Sequence, residues 1–144
     1  MLSRLSRPLL SLALAGAALI GPALAADGPS GRYSLNVDAS YQQLVSAGNV
    51  DPKARSVLEQ AKALLVIVFQ PTTVSFLSGA AQGSKVTGVC NWRLSGAAIQ
   101  LEKCQSANPG SPFNFTGTLT FDAGANAIAV RGANAKAAVI YSAE

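Results

Sequence analysis

Histidine is absent from the 144-residue chain, and charge is scarce, with Asp, Glu, Lys and Arg making up 12% of residues, about half the usual share of a soluble domain. A Ser-His-Asp triad, a zinc site with imidazole ligands and a facial iron triad each lose a required part. There is no G-x-S-x-G elbow and no glycine loop of the phosphate-cradling kind. The mature carboxylates also have ordinary assignments. Asp38 and Asp51 suit helix caps, Asp122 a turn, Glu59 the solvent face of a helix, and Asp27 and Glu144 stand near the mature ends. Only Glu102 is left over, and with no acidic neighbour in sequence it does not make a two-carboxylate hydrolase. No cofactor, no metal site and no catalytic residue is expected. Scarce charge does not mean disorder, because 49% of residues are hydrophobic.

Part of that hydrophobicity lies at the N-terminus. Arg4 and Arg7 precede an apolar run, Leu9 to Ile20, then Gly21-Pro22 and Ala23-Leu24-Ala25 before Ala26-Asp27. A basic start, a short apolar core and a small-x-small site are the parts of a secretory signal peptide. The run is shorter than the roughly 20 residues of a membrane span. Residues 1–25 are therefore read as a signal peptide and 26–30 as a flexible leader, with one domain over 31–144. Cleavage leaves 144 − 25 = 119 residues with a charge of 9 − 7 = +2. The product is expected in the periplasm or secreted, without stable insertion in a membrane. An oxidising compartment makes Cys90 and Cys104, the two cysteines, a disulfide.

Along the mature chain, Tyr33, Leu35 and Val37 alternate with polar residues as a short strand. Asp38 then offers a cap to a helix carrying Tyr41, Leu44 and Val45, closed by Gly48. Asp51-Pro52 starts a second helix with an apolar stripe of Ala54, Val57, Leu58, Ala61 and Leu65. From there β-branched and aromatic residues dominate. Val66–Phe69 and Val74–Phe76 read as strands, and Gly79–Ser84 as a loop. Val86, Gly88, Cys90, Trp92 and Leu94 share one face of the next strand, opposite Lys85, Thr87, Asn91 and Arg93. A turn at Ser95-Gly96 leads to Ile99 and Leu101. After Asn108–Pro112, the run Phe113, Phe115, Gly117, Leu119 and Phe121 alternates with Asn114, Thr116, Thr118 and Thr120 as one long strand. Gly124-Ala-Asn-Ala127 and Gly132-Ala-Asn-Ala135 repeat before two last strands. The fold class is α+β, mainly β: an antiparallel meander of about eight strands, barrel or half-barrel, with two short helices inserted after the first strand.

The cysteine pair demands one irregularity. Pairing Leu94 with Ile99 and Trp92 with Leu101 keeps all four apolar groups on one face. Strict continuation sets Cys90 against Lys103, so a β-bulge around Glu102-Lys103 is predicted to bring Cys104 opposite Cys90.

A Gly-x-aromatic first strand (Gly31-Arg32-Tyr33, with Tyr where lipocalins have Trp), a helical insert and a β-meander over Gly31 to Tyr141 resemble the small exported lipocalin-like domains of bacteria. The resemblance implies a barrel with an apolar interior and a binding role. Tyr33, Trp92, Phe113 and Phe115 are the candidate apolar interior, with Gly88 and Gly117 leaving room among them. The functional expectation is an exported non-catalytic binding module. It would either carry a small apolar ligand or engage an extracytoplasmic protein as a small inhibitor-like domain. The alternatives are a passive envelope or surface component and an enzyme of unrecognised type. Lys85, Arg93 and Lys103 are too scattered for a nucleic-acid surface.

Overall fold

A computed structural model describes residues 28–49, 51–79 and 84–144. Residues 1–27, which hold the segment read as a signal peptide and the start of the leader, lie outside the described residues, as does the middle of the Gly79–Ser84 loop. The elements are β1 (Gly31–Leu35), α1 (Val37–Ser46), α2 (Lys53–Ala61), β2 (Val66–Phe69), β3 (Thr73–Ser78), β4 (Lys85–Ser95), β5 (Ala98–Ser106), β6 (Thr118–Asp122), β7 (Ala127–Arg131) and β8 (Val139–Ala143). Every strand pairs antiparallel with its sequence neighbours, and β8 returns to β1, so the meander is a closed eight-stranded barrel. Between barrel and half-barrel, the expectation resolves to the barrel.

Alternation builds the interior. Tyr33 and Leu35 of β1, Ile67 and Phe69 of β2, Val74 and Phe76 of β3, Cys90 of β4, Ile99 of β5, Leu119 of β6, Ile128 of β7 and Tyr141 of β8 are all buried and form one cluster. Each strand contributes at least one inward side chain, as closure of a small barrel requires.

The helices correct three details of the sequence reading. Val37 does not extend the first strand but opens α1, where it is buried. The cap is Asn36 and not Asp38: the Asn36 side chain accepts a hydrogen bond from the Ala39 N–H at 2.9 Å, while its own backbone N–H donates to the Ile140 carbonyl of β8. Asp38 instead pairs with Arg55 of α2 across the surface. At α2 the Asp51-Pro52 start holds, since the Asp51 carboxylate accepts from the Lys53 N–H at 2.9 Å and Pro52 already has helical dihedrals. The predicted stripe is only half buried. Leu58 is 7% exposed and belongs to the core, whereas Val57 is 61% exposed; α2 packs against α1 and buries Leu58 alone of its residues. Leu58→Asp should therefore destabilise the fold by roughly 3 kcal/mol, through a buried unpaired charge, and Val57→Asp by no more than about 0.5 kcal/mol. Equal shifts of the two urea midpoints would contradict this placement.

The β4–β5 hairpin follows the predicted register. Leu94 opposes Ile99, Trp92 opposes Leu101 and Asn91 opposes Glu102; beyond an irregularity at Cys90, Val89 opposes Gln105. Two residues, Lys103 and Cys104, thus face one, and the extra residue Lys103 adopts φ +51°. The bulge delivers Cys104 to Cys90, and the two form a disulfide. Ser95 and Ala98 also pair, which shortens the turn to Gly96-Ala97, with Gly96 at φ +61°.

One predicted strand is cut short. Only Thr118–Asp122 enters the ladder, and residues 112–116 run on as irregular chain. Phe113 and Phe115 nevertheless point inward, with ring centroids 5.2 and 5.5 Å from that of Phe76.

Candidate functional site

The four residues expected to line an apolar interior fall into two packed groups. Tyr33 is fully buried and meets Phe69 edge to face at 5.7 Å; Phe69 meets Trp92 the same way at 5.3 Å. Trp92 donates its indole N–H to the Gln70 carbonyl at 2.7 Å, and Gly28 of the leader lies against its ring. One end of the barrel is covered in this way. Phe113 and Phe115 form the second group with Phe76, toward the other end. Phe113 lies so close over Gly88 that a Cβ there would overlap its ring. The glycine at position 88 is therefore needed for close approach, but the room it leaves is occupied by the protein itself. Gly117, at φ +148°, makes a backbone turn against Arg131 and leaves no interior space.

The buried phenol of Tyr33 is satisfied. Its hydroxyl donates to Asn126 Oδ1 at 2.8 Å and accepts from the Ser30 N–H at 3.3 Å. Burial pushes the Tyr33 phenol above the ordinary tyrosine value, with the Ser30 contact pulling in the opposite direction, and burial raises Tyr141 as well. Both groups keep their protons longer in the folded state than in the unfolded chain. Stability is then complete below the unfolded value of about 10 and falls as pH rises beyond it. Stability toward urea should begin to fall above pH ~10, with a shallower slope in Tyr33→Phe, whose ring has no proton to lose. An identical slope in both proteins would remove Tyr33 from this account.

The carboxylates hold the positions of a scaffold. Glu144 pairs with Arg32 at 2.8 Å and Glu102 with Arg93 at 3.0 Å. Asp122 accepts from the Ala125 N–H of the β6–β7 turn at 3.1 Å. Among the described residues, no group of three or more His, Cys, Asp or Glu converges to hold a metal ion.

A concave surface lies outside the barrel. A cleft of about 740 Å³ is bounded by Ala39 and Gln43 of α1, the Ala97 turn and the outer faces of β6 to β8. Its floor holds Ala127 and Ala129 of β7 with Ala138 and Ile140 beside and on β8. These are outward positions; elsewhere on the wall such positions carry longer side chains, polar at Ser75, Asn91, Arg93, Gln100 and Glu102 and apolar at Val66, Val68 and Val89. Alanine is a poor strand former, so the floor trades sheet propensity for depth. α1 is held along one rim, where the fully buried Ser40 hydroxyl accepts from the Ile140 N–H at 2.8 Å. The volume falls in the range of binding pockets. Sequence reading does not show this site: it places Ala127 in a Gly-Ala-Asn-Ala turn repeat and assigns Ala129 and Ala138 no role. The available signal was a small apolar residue at successive outward positions of adjacent strands.

Compared with known proteins, the chain matches no protein-family model, no curated protein and no solved structure at the significance required, so its eight-stranded antiparallel barrel is consistent with the lipocalin-like layout through the order of its elements alone.

Proposed function

We propose that the protein is an exported, non-catalytic binding module of the lipocalin-like kind, which engages another extracytoplasmic protein through the outer wall of its barrel. The observation that carries this reading is the division between inside and outside. Aromatic side chains pack against one another toward both ends of the barrel interior, while an apolar cleft lies on the outer face of β6 to β8. The Cys90–Cys104 disulfide is compatible with an oxidising compartment. The carboxylates engaged in ion pairs and caps support binding over catalysis.

Cross-linking of the protein in its source cells, followed by mass spectrometry, tests the reading. Ala129→Arg places a long charged side chain on the cleft floor and should remove the cross-linked protein while leaving the melting temperature near its original value. Native mass spectrometry of the purified material adds a second criterion. A retained small apolar molecule, with no protein bound, would replace this reading by that of an apolar-ligand carrier.

A further inference from the structure

Residues 112–117 keep the facing of a strand without its hydrogen bonds. β5 and β6 share only two paired positions, Ala98 with Thr120 and Ile99 with Leu119. Among the described residues, no backbone hydrogen bond joins residues 100–106 of β5 to residues 112–117. The barrel wall therefore has a seam along more than half of β5. Continuing the register across that seam would set Leu101 against Gly117. Past the extra residue Lys103, it would set Cys104 against Phe115 and Ser106 against Phe113. Leu101, Cys104, Ser106, Phe113 and Phe115 are all half-buried, whereas Glu102, Lys103, Gln105, Asn114 and Thr116 are exposed. The two segments match in facing along their length and share none of a ladder's bonds. The contacts that place the segment here are the stacking of Phe113 and Phe115 on Phe76, with Phe113 over Gly88.

We propose that the β5 edge from Gln100 to Ser106 is a strand-docking site, occupied at rest by the 112–117 segment as a weakly held stand-in. The occupant that displaces it is an extended segment of the protein partner, apolar at two alternate positions and small at the third, as Phe113, Phe115 and Gly117 are. This rests on the protein-binding reading above and names the kind of segment the partner must present. Main-chain bonds to an unpaired edge provide affinity, and alternate side chains provide selection. A second folded copy is a poor occupant, because a bulge with exposed Glu102 and Lys103 is the usual guard of an edge against rigid edge-to-edge pairing. A flexible segment can follow the bulge, as residues 112–117 already do in their facing.

Amide hydrogen exchange on the disulfide-intact protein tests the seam. The Phe121 N–H donates to the Ala97 carbonyl, and with alternating pairs the Leu101 amide points across the seam. It should exchange roughly a hundredfold faster than the Ile99 amide, as an unbonded edge does beside a bonded one. The docking step is tested with a synthetic peptide of residues 111–119, added to Phe113→Ser/Phe115→Ser and to the unaltered protein. The peptide should slow Leu101 exchange about tenfold in the double variant and less in the unaltered protein, where the resident segment competes. A scrambled peptide should do nothing. Leu101 exchanging as slowly as Ile99 in the unaltered protein would overturn the seam, and this readout does not depend on the double variant folding. A peptide that leaves Leu101 unprotected would overturn the docking site. Protection by the peptide, together with no protein cross-linked in the source cells, would uphold the edge and remove the partner-binding reading instead.

Discussion

Gly88→Ala should lower stability by about 2 kcal/mol, although alanine is the better residue for a strand. The gain in propensity is roughly 0.5–1 kcal/mol, and nothing in the backbone dihedrals of Gly88 opposes a side chain. What opposes it is the ring of Phe113, which a Cβ would overlap. Two responses are open to the chain. Phe113 can stay and strain the β3–β4 wall, or the 112–117 segment can lift and take the ring out of the core. The second route limits the total cost to about 3 kcal/mol, the value of burying one large apolar side chain. At roughly 4 °C per kcal/mol for a domain of this size, the melting temperature should drop by about 8 °C. The cycle with Phe113→Ala identifies the cause. Once the ring is gone, Gly88→Ala should cost nothing or stabilise, so the two substitutions are strongly non-additive. Additive losses would mean that Gly88 is required for a reason other than Phe113.

Removing the disulfide as Cys90→Ala/Cys104→Ala should cost about 3 kcal/mol, the loop-closure value for a ring of this length. The neighbouring residue should behave in the opposite sense. Lys103 holds a left-handed conformation that costs a side-chain-bearing residue roughly 1 kcal/mol. Lys103→Gly should therefore stabilise by up to about 1 kcal/mol with the bond intact. Deleting Lys103 is the sharper test. It removes the bulge, sets Cys104 directly opposite Cys90 and keeps Leu101, Cys104 and Ser106 on the inner face. A one-residue deletion inside a strand normally turns every later side chain to the wrong face; here it should yield a folded, disulfide-bonded barrel. Free thiols in the deletion variant, measured by alkylation before reduction, would show that the register beyond the bulge is set elsewhere.

The bulge was legible because two demands met in one short segment. Ile99 and Leu101 had to face the interior with Leu94 and Trp92, and Cys104 had to reach Cys90, which no regular ladder allows. Strand positions were legible for a similar reason, since a closed barrel asks for an inward apolar residue at every second position. The cysteine-bearing face and the two Gly-Ala-Asn-Ala turns followed from the same periodicity. Residues 112–117 misled because alternation records which way a side chain points and not whether the backbone has a partner. Val57 misled because a helical stripe gives the angular width of an apolar face but not how much of it the neighbouring surface covers. Asp38 and Asn36 are both good capping residues, and the choice fell to Asn36 because its N–H also bonds to β8, a contact across the closed ring. The alanine cleft needed the three-dimensional adjacency of β6, β7, β8 and α1 before its residues could be seen as one surface.

Seven of the eight strand pairings join consecutive strands, and the eighth joins β1 to β8. A hydrogen bond from Asn36 to Ser142 beside that ladder spans 106 positions. Six of these ladders are hairpins that can zip locally and β1–β2 closes across α1 and α2, but the ring cannot shut until residue 143 has been synthesised and has found residue 33. Closure of the ring is thereby assigned to a single ladder, and until it forms the barrel is open. For the export proposed here the order is useful: a molecule whose first strand waits for its last remains threadable through a narrow channel for as long as its C-terminal strand is held back.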